Sequence, residues 1–443
     1  MPELHRPPPV PPTVILARSA LAAVLAAVVV GAWVAPGAAA RTGPGAERAA
    51  TCADHTPTRR AYFGDIHIHT GLSADAMLFG TRTRPDEAYA FARGREIQVS
   101  QRMVTKPDPI PVRLERPLDF AAVTDHAENM GAVSLCLSPD SPVYDTEDCR
   151  FVRRPLPTDD MASFSSELAK SFHRMYGSEQ ICGPDHRRCV ERVQTPWREI
   201  QRAAAEWNND CDFTTLIGYE YSPTEQGANL HHNVLFASEK VMDAPISSRD
   251  VPDPFAFYEK LRRECNDAGT GCRAIAIPHN SNISNGRMFA PGYDADAPED
   301  ERREVAELRA EMVRLVEIFQ EKGDSECRNG LWNVLGAPDE LCAFEKYRDW
   351  QGARHEDCRD GVGVGGFQNR GCVSRRDYAR YALALGLAEE RRIGINPLRF
   401  GFVAATDNHL GTAADVEEWL HDGRQRPVSR VEVCLLYTSD AAD

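Results

Sequence analysis

The stretch from Tyr62 to Asp75, which reads Y-F-G-D-I-H-I-H-T-G-L-S-A-D, constrains the fold of this chain more than any other segment. His67 and His69 alternate with isoleucines, and such alternation is typical of a half-buried β-strand whose polar side chains leave by one face. Residues two apart on a strand repeat at about 6.5–7 Å, so the two imidazoles could share one metal ion or each bind one of a close pair. Two solvent-facing histidines are the alternative interpretation of this motif alone.

The rest of the chain alternates apolar strand patterns with helical patterns. Strands separated by helices predict right-handed crossovers and a mostly parallel sheet or barrel. Strands are predicted at residues 118–124, 215–219, 234–237, 273–277, 315–319 and 400–405, and helices at 86–95, 196–207, 254–265, 300–314 and 375–391. This alternation is absent from two stretches, residues 138–192 and 327–372. We interpret them as disulfide-held insertions because they are rich in Cys, Gly, Pro and charged residues.

Side chains that commonly ligate metals recur where these strands end. In barrels and doubly wound sheets such strand ends converge on one mouth, so residues distant in sequence can form one site. Each residue alone could be a core histidine or a capping aspartate, but recurrence at six strand ends favours a shared site. Nitrogen and oxygen donors without sulfur suit Zn, Mn or Fe rather than a closed structural zinc site. The residues are His67, His69, Asp75, Asp125, His126, Glu220, His231, His232, His279, Asp407 and His409.

Both ends of the chain are predicted to lie outside the fold. Residues 1–40 combine flanking arginines, an apolar run and small residues before Arg41, which is typical of a secretory signal peptide; an uncleaved anchor is the alternative. Residues 41–60 are interpreted as a linker. Residues 434–443 can be encoded by a transposase adapter used in sequencing libraries, so we interpret them as an artefact rather than a natural polar tail and expect the natural chain to continue beyond Val433.

Charge and cysteine content limit the partners and the compartment. A net charge of −15 argues against a nucleic-acid-binding surface, which needs clustered Lys and Arg. No second apolar run is long enough to span a bilayer, so we expect no membrane association after signal removal. Thirteen cysteines, one of them in the suspect tail, leave an even number, which predicts disulfides and export to the periplasm or the extracellular space.

The spacing of the cysteines suggests a pairing without determining it. Ten of the cysteines form five closely spaced pairs along the chain, and two remain for a long-range pair. The hypothesis pairs Cys136 with Cys149, Cys182 with Cys189, Cys265 with Cys272, Cys327 with Cys342, Cys358 with Cys372, and Cys52 with Cys211.

The order of the motifs resembles a known superfamily. H-x-H, T-D-H, G-x-E, an isolated His, P-H and D-x-H resemble the polymerase-and-histidinol-phosphatase (PHP) superfamily of metal-dependent phosphoesterases. More narrowly, Y-F-G-D-I-H-I-H-T, L-D-F-A-A-V-T-D-H-A-E, A-I-P-H-N-S-N-I-S-N-G, E-K-G-D-S-E and G-F-V-A-A-T-D-N-H resemble the exported, uncharacterised family DUF3604. The resemblance implies an α/β fold with a distorted (βα)7 barrel, within a hydrolase domain at residues 61–433.

The resemblance also implies a site for two or three divalent ions, Zn, Mn or Fe. Asp75 stands where many superfamily members have a histidine, which leaves the metal identity open. His231 is preferred over His232 because the family pattern places the ligand directly after N-L, although an adjacent pair permits a one-residue error. The implied ligands are His67, His69, Asp75, His126, Glu220, His231, His279, Asp407 and His409.

So many ligands predict a multinuclear centre. One ion cannot bind them all, so ions about 3.5–4 Å apart are expected, bridged by Glu220 or a hydroxide. Coordination lowers the pKa of water from about 15.7 toward roughly 7, which would make the bridging hydroxide the nucleophile. Asp125 either orients an imidazole or caps the next helix.

Three cationic residues are candidates for gripping an anionic small-molecule substrate, namely Arg82, Arg287 and Lys322. The alternative for Lys322 is an ion pair with Asp324 or Glu326. Together these observations predict an exported phosphoesterase. An amidohydrolase-like or carboxyl-ester hydrolase is the second hypothesis, because the same hydroxide attacks carbon, and a metal-binding protein without turnover is the third.

Overall fold

The computed structural model describes residues 61–100, 109–154, 156, 161–209, 211–331, 339–343, 345–352, 354–359 and 361–414, together with Cys52 and Thr58. The predicted signal peptide at 1–40, most of the predicted linker at 41–60 and the predicted artefactual tail at 434–443 lie outside these residues. Within the described part of the chain, no helix has both the length and the apolar character needed to cross a membrane.

Short strands and helices alternate along the described chain, which is a mixed α/β protein. The strands are β1 (Gly64–Asp65), β2 (Ile97–Val99), β3 (Ile110–Val112), β4 (Phe120–Val123), β5 (Thr214–Tyr221), β6 (His232–Phe236), β7 (Ala274–Pro278), β8 (Leu315–Glu317), β9 (Phe319–Gln320), β10 (Gly323–Asp324) and β11 (Gly401–Val403). The α-helices are α1 (Ala74–Leu78), α2 (Pro85–Ala92), α3 (Met130–Leu137), α4 (Glu147–Arg153), α5 (Met161–Gly177), α6 (Glu179–Cys182), α7 (Arg187–Arg192), α8 (Gln194–Trp207), α9 (Pro254–Leu261), α10 (Glu299–Met312) and α11 (Ala379–Ile393).

The largest sheet has five strands in the order β1-β4-β5-β6-β7. β4 runs parallel to β1 and to β5, whereas β6 runs antiparallel to β5 and to β7. β7 therefore runs in the same direction as β1, β4 and β5, and within this sheet β6 is the exception to the expected mostly parallel arrangement. Only residues 222–231 connect β5 to β6, and a parallel pair needs a crossover of about a dozen residues or more.

Smaller ladders flank this sheet. β8 and β11 form a parallel pair, and a single parallel bridge joins Ile68 to Asn408. β2 pairs with β3 and β9 pairs with β10, both antiparallel. Across the described ranges these ladders do not form a closed hydrogen-bonded ring, so the structure shows a mixed α/β architecture without a closed barrel.

The stretch that carries His67 and His69 is buried on both faces rather than half-buried. Ladder pairing stops at Asp65, and Ile68 makes the isolated bridge described above. Both histidines are 0% exposed, and the flanking Ile66 is only 7% exposed. The interpretation as solvent-facing histidines is therefore wrong. Polar groups buried this deeply need partners. The Ser73 hydroxyl lies 2.7 Å from Nδ1 of His69, and the other partners are members of the cluster described below.

The six predicted disulfides are all present, so the pairing hypothesis is confirmed. Two of them hold residues 138–192, where α4 to α6 pack with α1 and α3 in an apolar cluster separate from the main core. Two others hold the described parts of residues 327–372, which include the short 3-10 turns Glu340–Ala343 and Tyr347–Gly352. The bonds are Cys52–Cys211, Cys136–Cys149, Cys182–Cys189, Cys265–Cys272, Cys327–Cys342 and Cys358–Cys372.

Candidate metal centre

All nine predicted ligands lie in one buried cluster. They fall into five overlapping groups, in each of which the potential ligand atoms lie within 4.8 Å of one another. The groups are His69, Asp75, His126 and His409; His67, His69, Glu220 and Asp407; His67, His279 and Glu317; His126, Glu220 and His231; and Glu321, Asp407 and His409.

Glu220 stands at the centre of the cluster, near the carboxyl end of β5. Its Oε1 lies 2.7 Å from Nδ1 of His231 and 3.1 Å from Nε2 of His279. Its Oε2 lies 3.1 Å from Nε2 of His69 and 3.2 Å from Nε2 of His67. A carboxylate whose two oxygens face different pairs of imidazoles is well placed to bridge two metal ions.

Asp407 is the second shared carboxylate. Its Oδ1 lies 3.1 Å from Nε2 of His67 and 3.0 Å from Nε2 of His69. Its Oδ2 accepts hydrogen bonds from Gln320 Nε2 and Lys322 Nζ, both at 2.6 Å. The backbone of Asp407 has a φ of +56°, in the left-handed region that non-glycine residues adopt infrequently and that is enriched at functional sites.

Asp75 enters the cluster from the first turn of α1. Its Oδ2 lies 2.9 Å from Nε2 of His126 and 3.0 Å from Nε2 of His409. The other ring nitrogen of His126, Nδ1, lies 2.5 Å from the hydroxyl of Ser222. The Asp75 carboxylate therefore lies between two of the predicted ligand imidazoles.

Two carboxylates of the cluster were not predicted. Glu317 Oε2 lies 3.0 Å from Nδ1 of His67, on the side of the ring opposite Glu220. Glu321 groups with Asp407 and His409. The available signal for Glu317 was an acidic residue inside the apolar run L-V-E-I-F, because a charge on a buried strand needs a compensating partner.

The side chains of the adjacent His231 and His232 lie in different environments. His231 faces Glu220 as described, and its Nε2 lies 3.1 Å from the hydroxyl of Thr224. His232 is instead held by the carbonyl of Leu230 at 2.7 Å from Nδ1 and by the hydroxyl of Tyr258 at 2.6 Å from Nε2. His231 thus belongs to the cluster, and His232 has its two ring nitrogens engaged on the opposite face of β6.

Asp125 lies behind the cluster rather than within it. Its two carboxylate oxygens accept hydrogen bonds from the backbone N and the hydroxyl of Thr70, at 2.6 and 2.7 Å. These hydrogen bonds fix the residue that follows His69, which is a different role from the two that were predicted. Burial raises the pKa of the Asp125 carboxyl, and the donors of Thr70 oppose that shift.

The two candidate arginines have hydrogen-bond or ion-pair partners outside the cluster. Arg82 Nη1 donates to the carbonyls of Met77 and Thr81, at 2.8 and 2.7 Å. Arg287 Nη1 lies 3.3 Å from a carboxylate oxygen of Glu225. A role for either guanidinium in gripping substrate stays a prediction.

Lys322 is the candidate cation that lies inside the cluster. It is 3% exposed, and its Nζ lies 2.6 Å from Asp407 Oδ2 and 3.1 Å from Glu321 Oε1. The alternative was an ion pair of Lys322 with Asp324 or Glu326, but these two carboxylates pair with Lys346 and Arg380. The ammonium of Lys322 therefore offsets part of the negative charge of two carboxylates of the cluster.

Removing this ammonium should destabilise the metal-free protein. We expect Lys322→Met to lower the free energy of unfolding by about 3–5 kcal/mol, because it removes the buried ammonium that pairs with both Asp407 and Glu321. Added Mn²⁺ should restore much of that loss, since a divalent ion can take the place of the ammonium. Urea unfolding with and without Mn²⁺ measures both effects. Lys346→Met is the matched control, and equal rescue by Mn²⁺ of both variants, or of neither, would contradict the assignment.

The protonation of the cluster reflects its excess of carboxylates. Burial acts to lower the pKa of the His126 imidazole, but Asp75 and Glu220 outweigh it and raise that pKa to about 10. Burial likewise opposes protonation of His409, whereas Asp75 favours it, and the pKa is raised to about 9. Both imidazoles therefore carry a proton at neutral pH when no other cation is bound.

Metal binding should consequently release protons. An imidazole must be neutral to ligate. The pKa of His67 is also held well above its ordinary value, against the effect of burial, by Asp407 and Glu317, so we expect about three protons to leave per chain at pH 7, one each from His67, His126 and His409. Because the raised pKa values of His409 and His126 lie near 9 and 10, the release from these two imidazoles should decrease as the pH approaches 9. Calorimetric titration with Zn²⁺ in buffers of different ionisation enthalpy measures the number. A release near zero at pH 7 would show that these imidazoles are not protonated ligands.

Two further observations indicate that the cluster is suited to binding divalent ions. Buried polar atoms within or beside it have no hydrogen-bond partner in the described part of the chain, among them His279 Nδ1, Asn280 Oδ1 and Glu321 Oε2. Unpaired buried groups of this kind are costly and usually mark the place of a water or an ion. The donors are nitrogen and oxygen, and the twelve paired cysteines supply no thiolate, so the set suits Zn, Mn or Fe.

A comparison with protein families gives a match over most of the chain. The family model described as "Protein of unknown function (DUF3604)" matches residues 56–433. No curated protein and no solved structure matches the chain.

Proposed function

Since the chain belongs to the DUF3604 family of proteins of unknown function, we propose that it is an exported metal-dependent hydrolase and that its substrates are small phosphate esters. The observation that carries this proposal is the carboxylate of Glu220, whose two oxygens lie within 3.2 Å of four imidazoles. The six disulfides are consistent with export, as expected from the signal-peptide pattern at residues 1–40.

We further propose that the strands form a distorted seven-stranded barrel of the PHP type. The seven strands would be β1, β4, β5, β6, β7, β8 and β11. The parallel bridge between Ile68 and Asn408 supports this arrangement, because it links the segment after β1 to the segment after β11. The position of Glu220 and His279 at or just after the ends of β5 and β7 also supports it.

The nine predicted ligands would hold two or three divalent ions. When bound, such ions lower the pKa of a coordinated water toward roughly 7 and polarise a phosphoryl oxygen, which supplies both a nucleophile and charge stabilisation at neutral pH. The protein's part is to position the ligands. Glu317 holds His67 through Nδ1 and the Ser222 hydroxyl holds His126 through Nδ1, so in each ring Nε2 faces the cluster.

The charge of the cluster favours an anionic substrate when three ions are bound. The cluster contains five carboxylates and the ammonium of Lys322, which leaves four net negative charges with neutral imidazoles. Two divalent ions would balance that charge, and three would leave two positive charges. A phosphate monoester dianion complements the latter state, whereas a neutral carboxyl ester does not.

A substrate panel tests the proposal. Protein loaded with Mn²⁺ or Zn²⁺ should hydrolyse 4-nitrophenyl phosphate, should lose that activity on chelation and should regain it when metal is restored. Hydrolysis of 4-nitrophenyl acetate alone would favour a carboxyl-ester hydrolase instead. If neither these substrates nor the diester bis(4-nitrophenyl) phosphate were cleaved while the metals were confirmed present, a metal-binding protein without turnover would replace the proposal.

A further inference from the structure

Asn233 is a buried polar residue for which the proposed function has no role. It lies on β6 and is 0% exposed. Within the described part of the chain, neither its Nδ2 nor its Oδ1 has a hydrogen-bond partner. A carboxamide buried without any partner is costly, so natural proteins keep one mainly where a ligand, an ion or a water completes it.

The register of the sheet places Asn233 among the metal ligands. It stands directly opposite Glu220 on β5 and opposite Ile277 on β7. Directly opposed residues of an antiparallel pair project to the same face, with Cβ atoms about 4.5–5.5 Å apart. Asn233 therefore shares its face of the sheet with the central carboxylate of the cluster.

Two histidine ligands adjoin the same position. His231 precedes Asn233 by two residues, and His279 follows Ile277 by two. The pairing of the two strands continues to this level, because His279 N donates to the carbonyl of His231 at 3.2 Å. Since side chains two apart on a strand lie on one face, Asn233 is a same-face neighbour of His231 and His279 as well as of Glu220.

The other residues that the register places beside Asn233 on this face are apolar. Leu235, the next residue on that face, belongs to a small apolar cluster with Ile66, Ala122 and Ile277. The neighbouring Val234 projects to the opposite face, in the main core. Of the residues that the strand register places beside Asn233 on this face, the polar ones are thus Glu220, His231 and His279.

We propose that Asn233 is an additional metal ligand, whose carboxamide oxygen binds the ion held by Glu220, His231 and His279. The proposal rests on the metal centre proposed above but not on its hydrolytic activity. A neutral oxygen donor increases the number of ligands without adding charge. It therefore favours Mn²⁺ or Fe²⁺, which accept more oxygen ligands, over four-coordinate Zn²⁺ at this position.

Two substitutions at Asn233 separate the oxygen from the rest of the side chain. Asn233→Leu has a similar volume and removes both polar atoms, so the metal-free variant should melt at or above the wild-type temperature. Its affinity for Mn²⁺ should fall about 10-fold or more, and the rise in melting temperature on adding Mn²⁺ should shrink. Asn233→Asp keeps an oxygen at the same place and should bind Mn²⁺ at least as tightly as the wild type. Calorimetric titration, elemental analysis and thermal melts measure these effects.

Val234→Ala is the matched control, because it alters the adjacent residue on the opposite face of the strand. It should lower the melting temperature with and without Mn²⁺ and leave the Mn²⁺ affinity unchanged. Wild-type stoichiometry and affinity in Asn233→Leu would overturn the proposal. Loss of the ion in Asn233→Asp would also overturn it, because that result would show that the side-chain NH₂ of Asn233 is needed as a hydrogen-bond donor, rather than its oxygen as a ligand. A wild-type protein that binds Mn²⁺ but hydrolyses nothing refutes the proposed function and leaves this test intact.

Discussion

Glu220→Gln should remove the metal centre while leaving the fold in place. Glutamine has the shape of glutamate, but it lacks the negative charge and one of the two acceptor oxygens that face four imidazoles. We expect at least about a 100-fold loss of metal affinity, more than the loss typical of a residue that only supports a ligand. Hydrolysis of phosphate monoesters should fall on the order of 10²–10³-fold or more. Elemental analysis and steady-state kinetics on the same preparation measure the two effects.

The control for this substitution is Glu239→Gln, which makes the same chemical change at an exposed position beyond the end of β6. It should leave both metal content and activity at the wild-type level. A Glu220→Gln protein that kept two ions per chain and full activity would show that the Glu220 carboxylate is not needed for the metal centre. Circular dichroism of both variants identifies any loss of fold.

The second large effect concerns the disulfide between Cys52 and Cys211. This bond joins residues separated by 159 positions, whereas Cys182–Cys189 spans 7. Cross-linking a longer loop removes more conformational entropy from the unfolded chain, and the chain-entropy estimate is about 5 kcal/mol for the long loop and about 2.4 kcal/mol for the short one. We therefore expect the double Ser variant at Cys52 and Cys211 to lose about twice as much free energy of unfolding as the double Ser variant at Cys182 and Cys189.

Denaturant unfolding of the two double variants, both in the metal-free form, tests this expectation. The metal-free form is needed because bound ions add their own stabilisation. Equal losses in the two variants would show that loop length does not determine the contribution of these bonds. A larger loss in the short-loop variant would point instead to the packing of the helical segment that this bond holds.

Much of the secondary structure could be predicted because its pattern is local. The apolar run at 118–124 becomes β4 at Phe120–Val123, and the helical pattern at 196–207 becomes α8 at Gln194–Trp207. The short spacing of most cysteines likewise made local pairing the simplest hypothesis. The direction of β6 was harder to predict, because it depends on the short connection from β5 rather than on residues within the strand.

The site was predictable where ligands occur in short motifs and less so where a single acidic residue stands alone. Glu317 lies within an apolar strand and carries no motif, yet it contacts His67. Asp65 precedes the first histidine motif, and the sequence analysis does not predict a role for it. It accepts hydrogen bonds from the hydroxyl of Thr406 at 2.5 Å and from the backbone N of Ala414 at 2.8 Å. It thereby holds the segment of Asp407 beside the first histidines, across a sequence separation that no local pattern spans.

The roles of the charged residues near the motifs depended on contacts across the fold. Lys322 has acidic neighbours in sequence, which made an ion pair with Asp324 or Glu326 the alternative to a role in binding substrate, yet its ammonium lies against Asp407, 85 positions away. Asp125 is adjacent to His126, but its carboxylate turns to Thr70. In each case the partner follows from which strand ends meet, and sequence spacing alone does not contain that information.

The metal content of the wild-type protein tests the central claim most directly. After incubation with Mn²⁺, Fe²⁺ or Zn²⁺ and removal of unbound metal, elemental analysis should give two or three divalent ions per chain for at least one of these metals. Fewer than one ion per chain for each of them, in protein whose fold and six disulfides are intact, would contradict the account.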